Sequence, residues 1–256
     1  MKLKHISHLI TGSVMELFGV MADGKVVNSY ELTNKRGAKL KVINYGATVT
    51  SLKIPLKSGE MVDVVLGFDT LENYINSFDL ESAPYLGATV GRYAGRINNA
   101  TFNLNGEIIH LDKNNNGHSL HGGKDNFSKK VWEVKNVNEG CSPSITFSYL
   151  SPANEGNYPG DLSVELTYTL SENNELIIEY NAQTTEDTVL NLTHHSYFNL
   201  DGHDSSVSEQ ELIVNSHKML ETTTENIPTG RVLNLENNAF DFNQPKPCPS
   251  KIDNTF

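Results

Sequence analysis

The sequence predicts an all-β protein, an antiparallel sandwich or barrel, from three observations. Apolar and polar residues alternate over several segments, turn residues recur at short intervals, and helical periodicity is scarce. The strongest alternation is DLSVELTYTL, where Leu162, Val164, Leu166, Tyr168 and Leu170 hold every second position. Side chains two apart on a strand share a face, so these five form one apolar surface. Glu172-Asn173-Asn174 then turns the chain, and Leu176, Ile178 and Tyr180 resume the pattern, which makes a hairpin. A second hairpin joins ATFNL to EIIHL through Asn105-Gly106, residues that accept the positive φ of a tight type I′ turn. VVNSYELTN, AKLKVINY, DVVLGF, SITFSYL and TVLNLTH add further strand-like runs. The best helical stretch is Thr70 to Phe78, with Thr70 placed to cap and Glu72 in the first turn.

A chain of 256 residues with 38% hydrophobic content is large enough for one packed β domain. No internal repeat, low-complexity tract or linker divides it, so residues 1–17 read as a lead-in and 18–256 as a single domain. NQPKPCPS, residues 243–250, holds three prolines and reads as an exposed loop. The net charge of −11 and the lack of a basic stripe exclude nucleic acid as an expected partner and argue against anionic membranes. Two lysines precede an apolar stretch at the N-terminus, but His8, Thr11, Ser13 and Glu16 break it, unlike a signal peptide. No run reaches the roughly 18 apolar residues of a membrane span. Cys141 and Cys248 are far apart and form no CxxC motif, so two free thiols in a reducing cytoplasm are expected.

Two histidine neighbourhoods could carry chemistry. GHSLHGGKDNF contains His118 and His121, and Gly122-Gly123 after His121 lets the backbone turn sharply beside a ligand. NLTHHSYFNL contains His194 and His195 at the end of an apolar run. Neighbouring strand residues point to opposite faces, so only one of that pair would face a given site. A single histidine is more often a surface or core residue than a catalyst. His118 and His121 have a ligand-like spacing, but no cysteine or HExxH helix completes a zinc set, and no metal is assigned. Arg92 and Arg96 share a glycine-rich turn, where solvated surface charge is the bland reading. No GxSxG elbow supports a nucleophilic serine.

Taken in order, INYGATVTSLKIP, DVVLGFDTLENY, GATVGRYAGRI, GHSLHGG, EGNYPGDL, NLTHHSYFNL, NIPTGRV and IDNTF resemble the aldose 1-epimerase, or galactose mutarotase, family. The resemblance runs from about Phe18 to Phe256, with LHGG and HSYFNL its most specific pair. It implies a large antiparallel β-sandwich of the galactose mutarotase type with the sugar in an open cleft. It also implies interconversion of the α and β anomers of aldohexoses such as galactose and glucose, without a cofactor, in a monomer or weak dimer. Ring opening needs a base at the C1 hydroxyl and an acid at the ring oxygen. By motif His195 is that acid, a role suited to a group titrating near neutrality. Arg96 and His121 are then donors to the sugar and Asp253 binds its hydroxyls.

Against the family pattern, Gly95 stands where Asn is usual before the sugar-binding arginine, which implies the loss of one side-chain contact. His194 replaces a usual Asn, and Asn126 replaces a usual Gly after the HGG turn. Family members continue beyond the IDNTF-like motif with closing strands and a glutamate base, whereas this sequence ends at Phe256. The expectation is therefore a sandwich incomplete at its C-terminus, with a non-catalytic sugar-binding chain as the alternative function. The related hexose-6-phosphate mutarotases would demand clustered cations, and the local motifs fit the free-sugar group better.

Overall fold

The computed structural model describes residues 13–249 and 252–256. Two antiparallel sheets carry the core. The first has five strands in sequential order: β1 Ser13–Val20, β2 Val26–Thr33, β3 Lys39–Ile43, β4 Thr48–Pro55 and β5 Met61–Asp63. The second has four, also sequential: β6 Glu133–Asn138, β7 Ser144–Ser151, β8 Leu162–Leu170 and β9 Leu176–Thr184. Of the expected lead-in, residues 1–12 lie outside the described residues. Residues 13–17 already belong to β1, which pairs with β2 from Ser13 opposite Leu32.

The alternation in β8 sets the sandwich. Leu162, Val164, Leu166, Tyr168 and Leu170 are all 0–1% exposed. They meet Leu32, Leu40, Val42, Val49 and Leu52 of the first sheet in one cluster. Tyr30 and Phe147 meet edge to face between the sheets, with centroids 6.3 Å apart. Trp132 and Phe127, both about fully buried, close one end of this core. Sequence alternation thus becomes a two-layer core.

The Asn105-Gly106 hairpin forms between Thr101–Leu104 and Glu107–His110, and both turn residues have positive φ, 54° and 87°. Helix α1 covers Leu71–Ser77, with the Thr70 hydroxyl accepting from the Asn73 amide at 3.2 Å. Leu71 and Tyr74 bury its inner face against Val27, Ile43 and Tyr45. Thr70→Ala is expected to lower stability by about 1 kcal/mol, the worth of an N-cap, and Thr70→Gly by a few tenths. Equal urea midpoints for wild type and T70A would show that the cap contributes nothing.

Two strand-like runs do not become full strands. DVVLGF leaves β5 after Asp63, and only Val65 bridges onward, to Phe198. In TVLNLTH, Thr193–His194 pairs with Thr89–Val90, and Asn191 makes a single parallel bridge to Tyr93. Further backbone bonds of these runs go to segments outside the two main sheets, as in Leu66 N–H to Tyr197 O at 3.0 Å. Of the proline-containing segment, the described residues 243–249 are more tied down than a free loop, and residue 250 lies outside the described residues. Lys246–Pro247 pairs with Glu211–Leu212, and the Cys248 amide donates to Gln210 O at 2.8 Å. Cys141 and Cys248 are free thiols. Among the described residues, no helix is long and apolar enough to cross a membrane.

Candidate active site

An open cleft of ≈ 1410 Å³ lies beside the sandwich, and His195, His121, Arg96 and Asp253 all line it. Each arrives from a different part of the chain, so only the folded backbone brings them together.

His121 follows the short strand Ser119–Leu120, which pairs with Arg96–Ile97. The His121 amide donates to Gly95 O at 3.0 Å, and the Gly95 amide donates to His121 Nδ1 at 3.1 Å. His121 itself has φ +54°, and Gly122 follows at +87°. A Cβ on Gly122 would stand 2.1 Å from Gly91 O, so glycine is needed there for space as well as for φ. Burial, then the neighbouring His195 and Arg96 charges, push His121 down to about 3. The ring is therefore neutral near pH 7. Its Nδ1 lone pair is occupied by Gly95, so its proton sits on Nε2 as a donor.

His195 is held by both of its backbone groups. Its amide donates to Ala88 O and its carbonyl accepts from Gly87 N–H, both at 3.0 Å. The imidazole meets His121 edge to face at 5.3 Å, with Tyr197 at 5.4 Å and Tyr85 at 5.9 Å. Burial lowers its affinity for a proton, while its own backbone and the Asp253 carboxylate oppose that shift. Of the two rings, only His195 thus has neighbours that favour its protonated form.

Arg96 donates from Nε to Asn115 Oδ1 at 3.0 Å, which holds the guanidinium against the cleft wall. Its terminal nitrogens have no protein partner among the described residues. Asp253 accepts from Asn226 Nδ2 at 3.2 Å, and the Leu220 amide ties down its segment through Thr255 O at 2.8 Å. Gly95 has φ +85° and open space where a side chain would project.

Of the other candidates, His194 borders the cleft, whereas Arg92, His118 and Asn126 do not line it. Arg92 is 2% exposed, which overturns the reading of solvated surface charge for this residue. Its guanidinium donates to Ser151 Oγ and to the carbonyls of Ser151, Pro152 and Pro159, all at 2.9 Å. It fastens the EGNYPGDL loop to the glycine-rich turn. His118 is buried, and its Nδ1 accepts from the Asn99 amide at 3.0 Å. His194 turns to the sandwich core, with Nδ1 3.3 Å from Tyr168 Oη, while the His195 ring meets His121. Asn126 caps a short turn by accepting from the Ser128 amide and donates to Gly123 O at 2.9 Å, which braces the HGG segment. Tyr85, edge-on to His121 at 4.9 Å, has no sequence signal beyond its place before GATVGR. Tyr197 and Asn115 were similarly silent, although Tyr197 lies inside the HSYFNL motif.

The fold is that of known mutarotase-type β-sandwiches. An aldose epimerase homologue from C. elegans superposes with TM-score 0.77 at 35% identity, covering 85% of this chain and 64% of that one. A galactose 1-epimerase from Lactobacillus acidophilus superposes with TM-score 0.80 at 25% identity, covering 93% and 67%. The pattern of the aldose 1-epimerase family matches residues 28–256, and the chain belongs to that family. Human galactose mutarotase is 38% identical over 231 residues, 90% of this chain and 64% of that protein. The bovine galactose mutarotase is 40% identical over 208 residues, 81% and 58%. The chain therefore spans about three fifths of the length of these relatives.

Proposed function

We propose that the cleft binds a free aldohexose such as galactose or glucose and interconverts its α and β anomers. The observation that carries this reading is the convergence of His195, His121, Arg96 and Asp253, from four separate motifs, on one open cleft. His195 gives a proton to the ring oxygen while the C1 hydroxyl loses its proton to solvent water, since none of the four residues is assigned as base, and both transfers reverse on reclosure. His121, neutral and protonated on Nε2, and the Arg96 terminal nitrogens donate to sugar oxygens. Asp253 accepts from sugar hydroxyls and favours the protonated form of His195.

Polarimetry on freshly dissolved α-D-galactose tests the proposal: the chain should accelerate mutarotation beyond the spontaneous rate. Saturable galactose binding without acceleration would favour the non-catalytic alternative, and neither binding nor acceleration would overturn both. A phosphorylated hexose is the second reading, and one observation favours it. Lys113, Lys124 and Lys129 line the same cleft as Arg96. Lys129 lies over the Phe78 ring at 5.2 Å, and Arg96 is held by neutral Asn115, so among the described residues neither charge is paired with a carboxylate. A preference for glucose 6-phosphate over galactose in the same assay would support that reading instead.

A further inference from the structure

Ser196 lines the cleft immediately after His195, and its hydroxyl lies 2.6 Å from Nε2 of His194. The opposite nitrogen of that ring, Nδ1, lies 3.3 Å from Tyr168 Oη. Tyr168 is fully buried, and its hydroxyl donates to Ala47 O at 2.7 Å, across the two sheets. A phenol has one hydrogen. With that hydrogen committed to Ala47, the Tyr168 oxygen can meet Nδ1 favourably only by accepting from it. Nδ1 of His194 therefore carries the ring proton. Burial, then the adjacent His195 charge, push His194 down to about 4, so the ring is neutral near pH 7. Its Nε2 is then a lone pair, and Ser196 must be the donor in the 2.6 Å contact.

We infer that Ser196, His194, Tyr168 and the Ala47 carbonyl form a directional hydrogen-bond relay that presents the Ser196 oxygen to the cleft as an acceptor only. The relay runs Ser196 O–H to His194 Nε2, His194 Nδ1–H to Tyr168 Oη, and Tyr168 O–H to Ala47 O. A ligand group meeting Ser196 must then donate, which a sugar hydroxyl can do and an ether or carbonyl oxygen cannot. His121 offers the opposite polarity, a donor, in the same cleft. A hydroxyl donating at Ser196 and others accepting at His121 and Arg96 gives the cleft a hydrogen-bond direction as well as a shape. Ser196 is thus a specificity contact for the hexose, and His194 is the positioning residue that sets its polarity. The Ser196 contact rests on the proposed reading of the cleft as a sugar site, whereas the relay itself does not.

Two measurements separate these parts. Long-range ¹H–¹⁵N NMR of the histidine rings, without sugar, reads the tautomers directly. His194 is expected as the Nδ1–H form, and Tyr168→Phe, which removes the acceptor of that proton, should shift it toward Nε2–H. An Nε2–H or charged His194 in the wild type at neutral pH overturns the relay, as does an unchanged tautomer in a folded Y168F. If Y168F does not fold, the wild-type tautomer alone decides. Galactose titration then tests the contact. Ser196→Ala should weaken binding about 3–10-fold, the factor of one neutral hydrogen bond. His194→Ala, which frees the hydroxyl to rotate, should weaken it by a smaller factor. Equal affinity of wild type and S196A overturns the contact. A wild type that does not bind galactose overturns both the sugar-site reading and the contact, while the tautomer still decides the relay.

Discussion

Replacing His195 with Gln is expected to slow anomer interconversion by about 10²–10⁴-fold, the usual contribution of a general acid. In barrier terms that is about 3–5 kcal/mol. The expectation is this large because no second ring can substitute. His121 is the nearest, at 5.3 Å between centroids, but it is pushed down to about 3 and its Nδ1 is occupied by the Gly95 amide. It can donate a hydrogen bond but holds no transferable proton near pH 7. His194 faces Tyr168 and is also neutral. Sugar affinity should change far less than rate, because Arg96, His121 and Asp253 remain in place. Polarimetry gives the rate and a galactose titration gives the affinity. A His195→Gln chain that mutarotates within a factor of two of wild type would remove His195 from the acid role.

Acid should destabilise the fold well before its carboxylates are protonated. His121 and His194 are both held below the ordinary histidine value of about 6.5, to about 3 and about 4, chiefly by burial. The unfolded chain therefore binds more protons than the folded one once pH drops below 6.5. The stability these neutral rings allow is complete above that pH and is lost as pH falls toward their folded values. Each pKa unit corresponds to about 1.4 kcal/mol, so each ring removes about 2 kcal/mol between pH 6.5 and pH 5. Urea unfolding midpoints at several pH values measure the loss. The double variant His121→Asn with His194→Asn should be less stable at pH 7.5 yet show a flatter decline. The contrast lies in the slope, so the cost of the substitutions themselves does not enter. Parallel declines in wild type and variant would show that the two rings do not control acid stability.

How much of this could be read from the residues follows the range of the interactions involved. The β8–β9 hairpin, the Asn105-Gly106 turn and the Thr70 cap were legible because each depends on neighbours a few residues apart. The alternation in DLSVELTYTL states which face is apolar before any partner is known. The family was legible as well, since eight motifs in order carry more information than any one of them. DVVLGF and TVLNLTH have the same strand-like composition, but strand formation needs a partner edge. These runs meet one only briefly.

The candidate site divides in the same way. The sequence by itself determined a β-sandwich core, the membership of an aldose 1-epimerase family, and the four residues His195, His121, Arg96 and Asp253 as candidates. It could not decide which of two arginines five residues apart faces the cleft. Arg92 is buried on three backbone carbonyls and Ser151, and Arg96 reaches the cleft wall. Only the tertiary structure assigned His121 its neutral Nε2–H form, through the Gly95 amide, and turned His194 toward Tyr168. The reason is physical. Periodicity and turn chemistry are local, whereas burial, tautomer and charge are set by groups that folding brings in from tens of residues away.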